Sequence, residues 1–215
     1  MIKLSKEESL KYYEDENYRK TFENKQISLD LRNCENIKDV SNLGSVHTLD
    51  LINCQNISDV SSLGSVHTLY LINCQNITNV SMLGSVHTLN LSYCKNITDV
   101  NMLTSVYSLN ISYCPNITDV TMLTSLCELN IHGCDKIKDI SILTNVKILN
   151  MMYCKNITNI GNLRKLQSLR LNTKVYGLHL LNNLETVTLN LLVDKKILKK
   201  LQKINKNVQI FFFNR

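Results

Sequence analysis

The amino-acid sequence predicts an α/β solenoid: a curved parallel β-sheet of about ten strands, backed by short turn-like or 3-10 convex segments, with helical caps at both ends. Three observations carry this. Cysteine recurs every 20 residues, at Cys34, Cys54, Cys74, Cys94, Cys114, Cys134 and Cys154, without slippage. Aliphatic columns keep the same step: Leu49 to Leu169 and on to Leu189, Leu51 to Leu171 and Leu191, Ile57 to Ile157, and Val60 to Ile160. Within one unit, Val46-x-x-Leu49-x-Leu51-x-x-Cys54-x-x-Ile57-x-x-Val60-x-x-Leu63, the apolar period is two around Leu49 and Leu51 and three afterwards. A period of two reads as a short strand with one face on a core, and a period of three as a tight return path.

Residues 1–26 read as an N-terminal helical cap. Ser5-x-x-Glu8 matches a capping box, and Leu10, Tyr13, Tyr18 and Phe22 are available for its inner face. Residues 27–193 are the repeats. No single unit buries its own apolar side, but stacked units share a continuous core, with successive strands paired in parallel about 4.8 Å apart. Residues 194–215 close the stack: Asp194 starts a helix over residues 195–206 with Ile197, Leu198, Leu201 and Ile204 on one side, and Val208, Ile210 and Phe212 alternate as a last strand. The three segments make one continuous domain.

The unit resembles the leucine-rich repeat, whose pattern begins L-x-x-L-x-L-x-x-N/C. The run Cys94-Lys95-Asn96-Ile97-Thr98-Asp99 looks like the cysteine-containing subclass, and the short unit is similar to repeats of the internalin type. The 28 asparagines, abundant Ile and Lys, and single proline suit an AT-rich genome. Together with the near-identical units they resemble leucine-rich repeat proteins of large amoeba-infecting DNA viruses or amoeboid protists. The resemblance implies a non-enzymatic scaffold that binds a protein partner on the concave sheet face. Family members often recruit targets for ubiquitin ligases, but residues 1–26 do not look like an F-box.

Composition narrows the function classes. Hydrophobic residues make up 44% and charged residues 20%, which excludes a disordered acidic tail or a collagen-like chain. No apolar run reaches the ~18–20 residues of a membrane span. The first residues are charged and lack the apolar stretch of a secretory signal, so a cytoplasmic protein (host cytosol if viral) with reduced thiols is expected, as a monomer. The net charge of +6 is local. Residues 194–215 carry seven basic side chains against Asp194 alone, and the rest of the chain balances. Lys195, Lys196, Lys199, Lys200 and Lys203 therefore define a secondary basic patch. It reads first as the solvated face of a capping helix, and alternatively as a binder of an anionic surface: acidic protein, lipid or nucleic acid. Without aromatics among these lysines, nucleic acid is not favoured.

No constellation points to catalysis, a cofactor or a metal. The cysteine column lacks close metal-ligand pairs and reads as small buried core residues. Cys127 lies off that column and is expected to be the reachable thiol. His47, His67 and His87 form a column in the most nearly identical units, with no accompanying carboxylates, and duplication accounts for them. The regular Asp39, Asp59, Asp99, Asp119 and Asp139 suit turn hydrogen bonding, and the frequent Asn-x-Ser/Thr triplets suit turns as well.

The concave face is where a partner is expected. By two-residue alternation its outward rows are those of residues 48, 50 and 52, with 53 at the margin. Asn90, Asn110, Asn130 and Asn150 should stack as an amide ladder. Ile52, Ile72 and Tyr70, then Tyr93, Tyr113, Met152 and Tyr153, form an apolar and aromatic patch of the kind that anchors partners. The most divergent unit carries Glu128, His132 and Gly133, and Gly133 should leave a notch in the tyrosine row at which contacts centre.

Overall fold

The computed structural model describes residues 1–190 and 207–213. Its strands form a single parallel sheet in strict chain order, the topology that a one-dimensional repeat requires. β1 is Ile2–Lys3, followed by helices α1 (Lys6–Glu14) and α2 (Glu16–Lys20). The repeat strands are β2 (Ile27–Asp30), β3 (Thr48–Asp50), β4 (Thr68–Tyr70), β5 (Thr88–Asn90), β6 (Ser108–Asn110), β7 (Glu128–Asn130), β8 (Ile148–Asn150) and β9 (Ser168–Leu171). β10 (Thr186–Asn190) and β11 (Gln209–Phe213) complete the sheet. Among the described residues the sheet thus has eleven strands, where the repeat pattern accounts for about ten. The extra one is β1, two residues long, which pairs Ile2 with Ile27 and carries no repeat signature.

Strands β3 to β7 each bury a central leucine and leave both neighbours half-exposed, so Leu49, Leu69, Leu89, Leu109 and Leu129 enter the core while Thr48 and Asp50 face outward; in β8 the residue before the leucine, Ile148, is exposed. Val46, Leu51, Cys54, Ile57, Val60 and Leu63 are also buried, and these columns fuse into one core between the sheet and the return segments. 3-10 helices occur at Ser41–Leu43, Ser61–Ser65 and Ser81–Leu83, and again at Leu178–Leu180 in the short last unit, whereas the segments at 101–105, 121–125 and 141–145 are plain turns. The difference coincides with Gly44, Gly64 and Gly84 giving way to Thr104, Thr124 and Thr144. A Cβ on Gly84 would be driven into the Met102 carbonyl of the next turn, so the close-packed geometry needs glycine. The asparagines of the glycosylation-like triplets are structural: Asn56, Asn76 and Asn96 donate from Nδ2 to the carbonyls of Glu35, Gln55 and Gln75 in the preceding unit.

The N-terminal cap contains the capping box, with Ser5 N donating to Glu8 Oε2 at 2.8 Å and Glu8 N to Ser5 Oγ at 3.3 Å. Leu10, Tyr13, Tyr18 and Phe22 pack only partly against the core, and the fully buried cap residues are Leu4, Ser9 and Tyr12. Ser9 Oγ donates to Ser5 O and accepts from Asp30 N, joining α1 to β2. At the far end the periodicity slips. Thr186 pairs with Ser168, so Leu189 stands beside Leu171 and not in the Leu169 column. The unit between them is two residues short, and turns through Gly177 at φ 82° after Tyr176 bridges Asn159. The helix expected over residues 195–206 lies outside the described residues, and β11 pairs with β10 from Thr186↔Gln209 onward.

Candidate binding face and its two aromatic rims

The outward face of the sheet carries a polar floor. Residue 50 and its equivalents run Asp30, Asp50, Tyr70, Asn90, Asn110, Asn130, Asn150 and Arg170 in register. The four asparagines do not bond to one another as expected. Each Oδ1 instead accepts the backbone N–H two residues on: Ser92 at 3.0 Å, Ser112 at 3.0 Å, His132 at 3.1 Å and Met152 at 3.4 Å. This local bond satisfies an N–H where the strand ends, and it outcompetes a longer cross-strand contact. An amide ladder does form, one row over: Asn73 Nδ2 donates to Asn53 Oδ1, and Asn53 Nδ2 to Asn33 Oδ1. At the N-terminal end, Arg32 bridges Asp30 and Asp50, and its guanidinium holds the Asp30 carboxyl below the usual range.

The row at residue 53 is conformationally unusual. Asn33, Asn53, Asn73, Tyr93, Tyr113 and Tyr153 all have φ between 58° and 61° or at 64°, and Gly133 has φ 75°. Asparagine and glycine tolerate this left-handed region, whereas a bulky L-residue there is disfavoured by about 1–2 kcal/mol. Three tyrosines nevertheless occupy it, each 40–43% exposed. Their rings form a continuous row: Tyr93 and Tyr113 stack 4.6 Å apart, while Tyr113 and His132 at 4.7 Å and His132 and Tyr153 at 5.1 Å meet at tilts of 38° and 41°. Such pairs contribute about 0.5–1.5 kcal/mol each, enough to offset most of the backbone cost.

The expected notch at Gly133 is absent. The His132 ring fills the place between Tyr113 and Tyr153, and its Nε2 is 2.8 Å from the Tyr113 hydroxyl. Gly133 permits this, because a Cβ there would stand 3.1 Å from Tyr113 Cδ1. Burial, and then Arg170, push the His132 imidazole below its ordinary pKa; burial and then Tyr93 raise the Tyr113 phenol. Ile52, Ile72, Tyr70 and Glu128 are half-buried on the same face, and Glu128 Oε2 accepts from Ser108 Oγ at 2.9 Å. Met152, expected on the exposed patch, is only 5% exposed and offers little to a partner. Lys195, Lys196, Lys199, Lys200 and Lys203 lie outside the described residues.

The opposite rim is a second stack. His47, His67, His87 and Tyr107 follow at 4.6, 4.6 and 4.8 Å with planes within 15°. Nδ1 of His67 and of His87 lies 3.2 Å from the following threonine hydroxyl. Burial lowers the His67 pKa, followed by the two flanking imidazoles. Among the described residues no group of three or more His, Cys, Asp or Glu side chains is arranged to hold a metal ion.

The cysteine column is a ladder of free thiols, buried from Cys54 to Cys154 and half-buried at Cys34. Cys54, Cys74, Cys94, Cys114, Cys134 and Cys154 donate from Sγ to Leu31, Leu51, Leu71, Leu91, Ile111 and Ile131 carbonyls at 3.0–3.2 Å. Burial pushes Cys54 and Cys94 up to about 11 and Cys74 to about 12, so they are neutral thiols at pH 7 and poor nucleophiles. Cys127 is also buried, contrary to expectation: it follows Tyr107 in the His47, His67, His87 column, and its thiol lies within hydrogen-bond reach of the Tyr107 side chain; the least covered thiol is Cys34 at the end of the cysteine column.

One surface escapes the sequence reading. Met82, Met102, Met122 and Ile142 are large, exposed and 20 residues apart, on the return turns. Their spacing was visible, but each sits next to a core leucine and out of phase with the every-third pattern, so only the structure separates them from the core.

Comparison with known proteins agrees with this architecture. No protein-family model and no curated protein sequence matches the chain. Among solved structures it is similar to internalin C2 from Listeria monocytogenes, with 27% identity and a TM-score of 0.54, over 71% of this chain and 74% of that one. A leucine-rich repeat protein of Leptospira interrogans matches at 16% identity and TM-score 0.39, covering 87% and 65%. The functional domain of InlJ from Listeria monocytogenes, described as including a cysteine ladder, matches at 15% and 0.35, covering 86% and 57%. The fold is a leucine-rich repeat solenoid, a class that supports protein interaction in general. No helix among the described residues is long and apolar enough to cross a membrane.

Proposed function

We propose that this protein is a non-enzymatic, cytoplasmic interaction scaffold that takes a protein partner on the outward sheet face, with the row Tyr93, Tyr113, His132 and Tyr153 as its anchor. One observation carries the reading. Units with Asn33, Asn53 and Asn73 place a compatible residue at positive φ, while three later units place an exposed tyrosine there against the backbone preference. Stacking offsets most of that cost, but a polar residue avoids the cost altogether, so rings kept exposed there point to a use for them, and tyrosine is enriched among binding anchors. Half-buried Ile52, Tyr70 and Ile72 extend the contact surface toward the N-terminal units. A host-directed role of the viral or amoeboid kind is part of the same reading and rests on composition.

The test is a panel of candidate partners screened against the wild type and the folded Tyr113→Ala/Tyr153→Ala double variant. The reading expects at least one interaction that the double variant loses and that survives moderate salt. Unchanged binding by the folded variant contradicts it. Binding that instead falls steeply with ionic strength and is lost on charge reversal of Lys195, Lys196 and Lys199 moves the function to the basic patch.

A further inference from the structure

We propose that the ridge Met82, Met102, Met122 and Ile142 is a second docking surface, and that its occupant is a basic amphipathic helix of a partner protein. The ridge is independent of the concave face: its residues stand on the return turns, behind the core from the strands. The three methionines are 56–62% exposed and Ile142 is 47% exposed, in four consecutive units. The same column carries Asn42 and Ser62 before them and Asn162 after them, all exposed, so nothing in the fold demands an apolar side chain there. A contiguous apolar stripe on a surface whose sister positions are polar marks an interaction site, and thioether side chains adapt to a partner's shape.

Charge selects the occupant. Asp99, Asp119 and Asp139 stand three residues ahead of Met102, Met122 and Ile142. One oxygen of each carboxylate accepts a turn N–H at 2.8 Å, from Asn101, Thr121 and Ser141 respectively. None of them takes part in an ion pair among the described residues. Acid and thioether share the same hollows: Asp99 and Met102 line a groove of about 210 Å³, and Asp59 and Met82 one of about 230 Å³. The partner therefore needs apolar anchors flanked by cationic side chains.

Spacing selects the conformation. Successive units advance by about 4.8 Å, close to the 5.4 Å pitch of an α-helix, so a helix lying along the solenoid puts one anchor on each unit with a mismatch of about 2 Å over the ridge. An extended strand repeats its same-side residues at about 6.8 Å and drifts by about 6 Å over the same length.

The experiment uses the full chain and a fluorescent synthetic helix of about sixteen residues, with leucine at i, i+4, i+7 and i+11 and lysine beside them. Anisotropy should show saturable binding. The variant Met82→Ser/Met102→Asn/Met122→Asn, built from residues that sister units carry, should bind about tenfold more weakly or worse. Tyr93→Asn/Tyr113→Asn/Tyr153→Asn should bind as wild type. The proposal is overturned by absence of saturable binding, by equal binding of a glutamate-flanked peptide, or by loss of binding in the tyrosine variant alone. It is also overturned if the methionine variant abolishes instead a self-association seen by sedimentation, or adsorption to phosphatidylserine vesicles, since the ridge then serves a second copy or a lipid surface.

Discussion

The hydroxyl of Tyr113 lies 2.8 Å from Nε2 of His132, and the two rings are 4.7 Å apart. A histidine from one position of its unit thereby completes a row that tyrosines build from the next position. His132→Ala should remove both ring contacts and that hydrogen bond, lowering unfolding free energy by about 1–2 kcal/mol. Chemical denaturation measures this, and a change below a few tenths would mean that the row is not coupled.

Gly133→Ala attacks the same junction from the backbone. It forces a Cβ into φ 75° and to within 3.1 Å of the Tyr113 ring. A loss of about 1–2 kcal/mol is expected, with an altered near-ultraviolet dichroism from the displaced tyrosine. An unchanged spectrum and midpoint would show that the ring moves freely.

The thiol ladder makes stability sensitive to alkali. Buried Cys54, Cys74, Cys94, Cys134 and Cys154 have folded pKa values of about 11 to 12, above the unfolded value near 9. The folded state retains protons that the unfolded state releases, so this stabilisation is full below about pH 9 and is lost as pH rises toward the folded values. Denaturation midpoints should fall between about pH 9 and 11, less steeply in Cys94→Ala. A flat profile would count against burial of the ladder.

The imidazoles act in the opposite direction. His67 and His132 have pKa values lowered below the ordinary 6.5. Their contribution is intact above about pH 6.5 and is lost as pH falls through the depressed folded values, because the unfolded chain binds those protons first. The midpoint should drop on acidification from about pH 7.5 to 5.5, and a His67→Asn/His132→Asn variant should show a shallower drop. A wild-type midpoint that rises on acidification would reverse the sign.

Much of the fold was legible because each core position is written about seven times over, which turns a weak local signal into a periodic one. β1 was not legible, since Ile2 and Lys3 pair with β2 without any repeat pattern. Nor was the slip that pairs Leu189 with Leu171, which depends on a short turn through Gly177. The binding face was readable as rows but not in detail. Two-residue alternation stops where φ becomes positive at residue 53, so it could not say that Tyr113 stays exposed while Met152 is buried, or that His132 fills the gap at Gly133. The methionine ridge was hidden because an apolar residue beside a core leucine looks like core until the turn geometry turns it outward.

The most direct test of the scaffold reading is Tyr93→Asn/Tyr113→Asn/Tyr153→Asn, which replaces each strained tyrosine by the residue that sister units carry at the same φ. Binding to a partner recognised by the wild type and thermal stability are measured on the same preparation. The account predicts partner affinity reduced by about tenfold or more with the unfolding midpoint unchanged or raised, since relief of backbone strain offsets the lost stacking. Retained affinity in the stable variant would contradict it, and so would a large fall in stability, which would make the tyrosines structural.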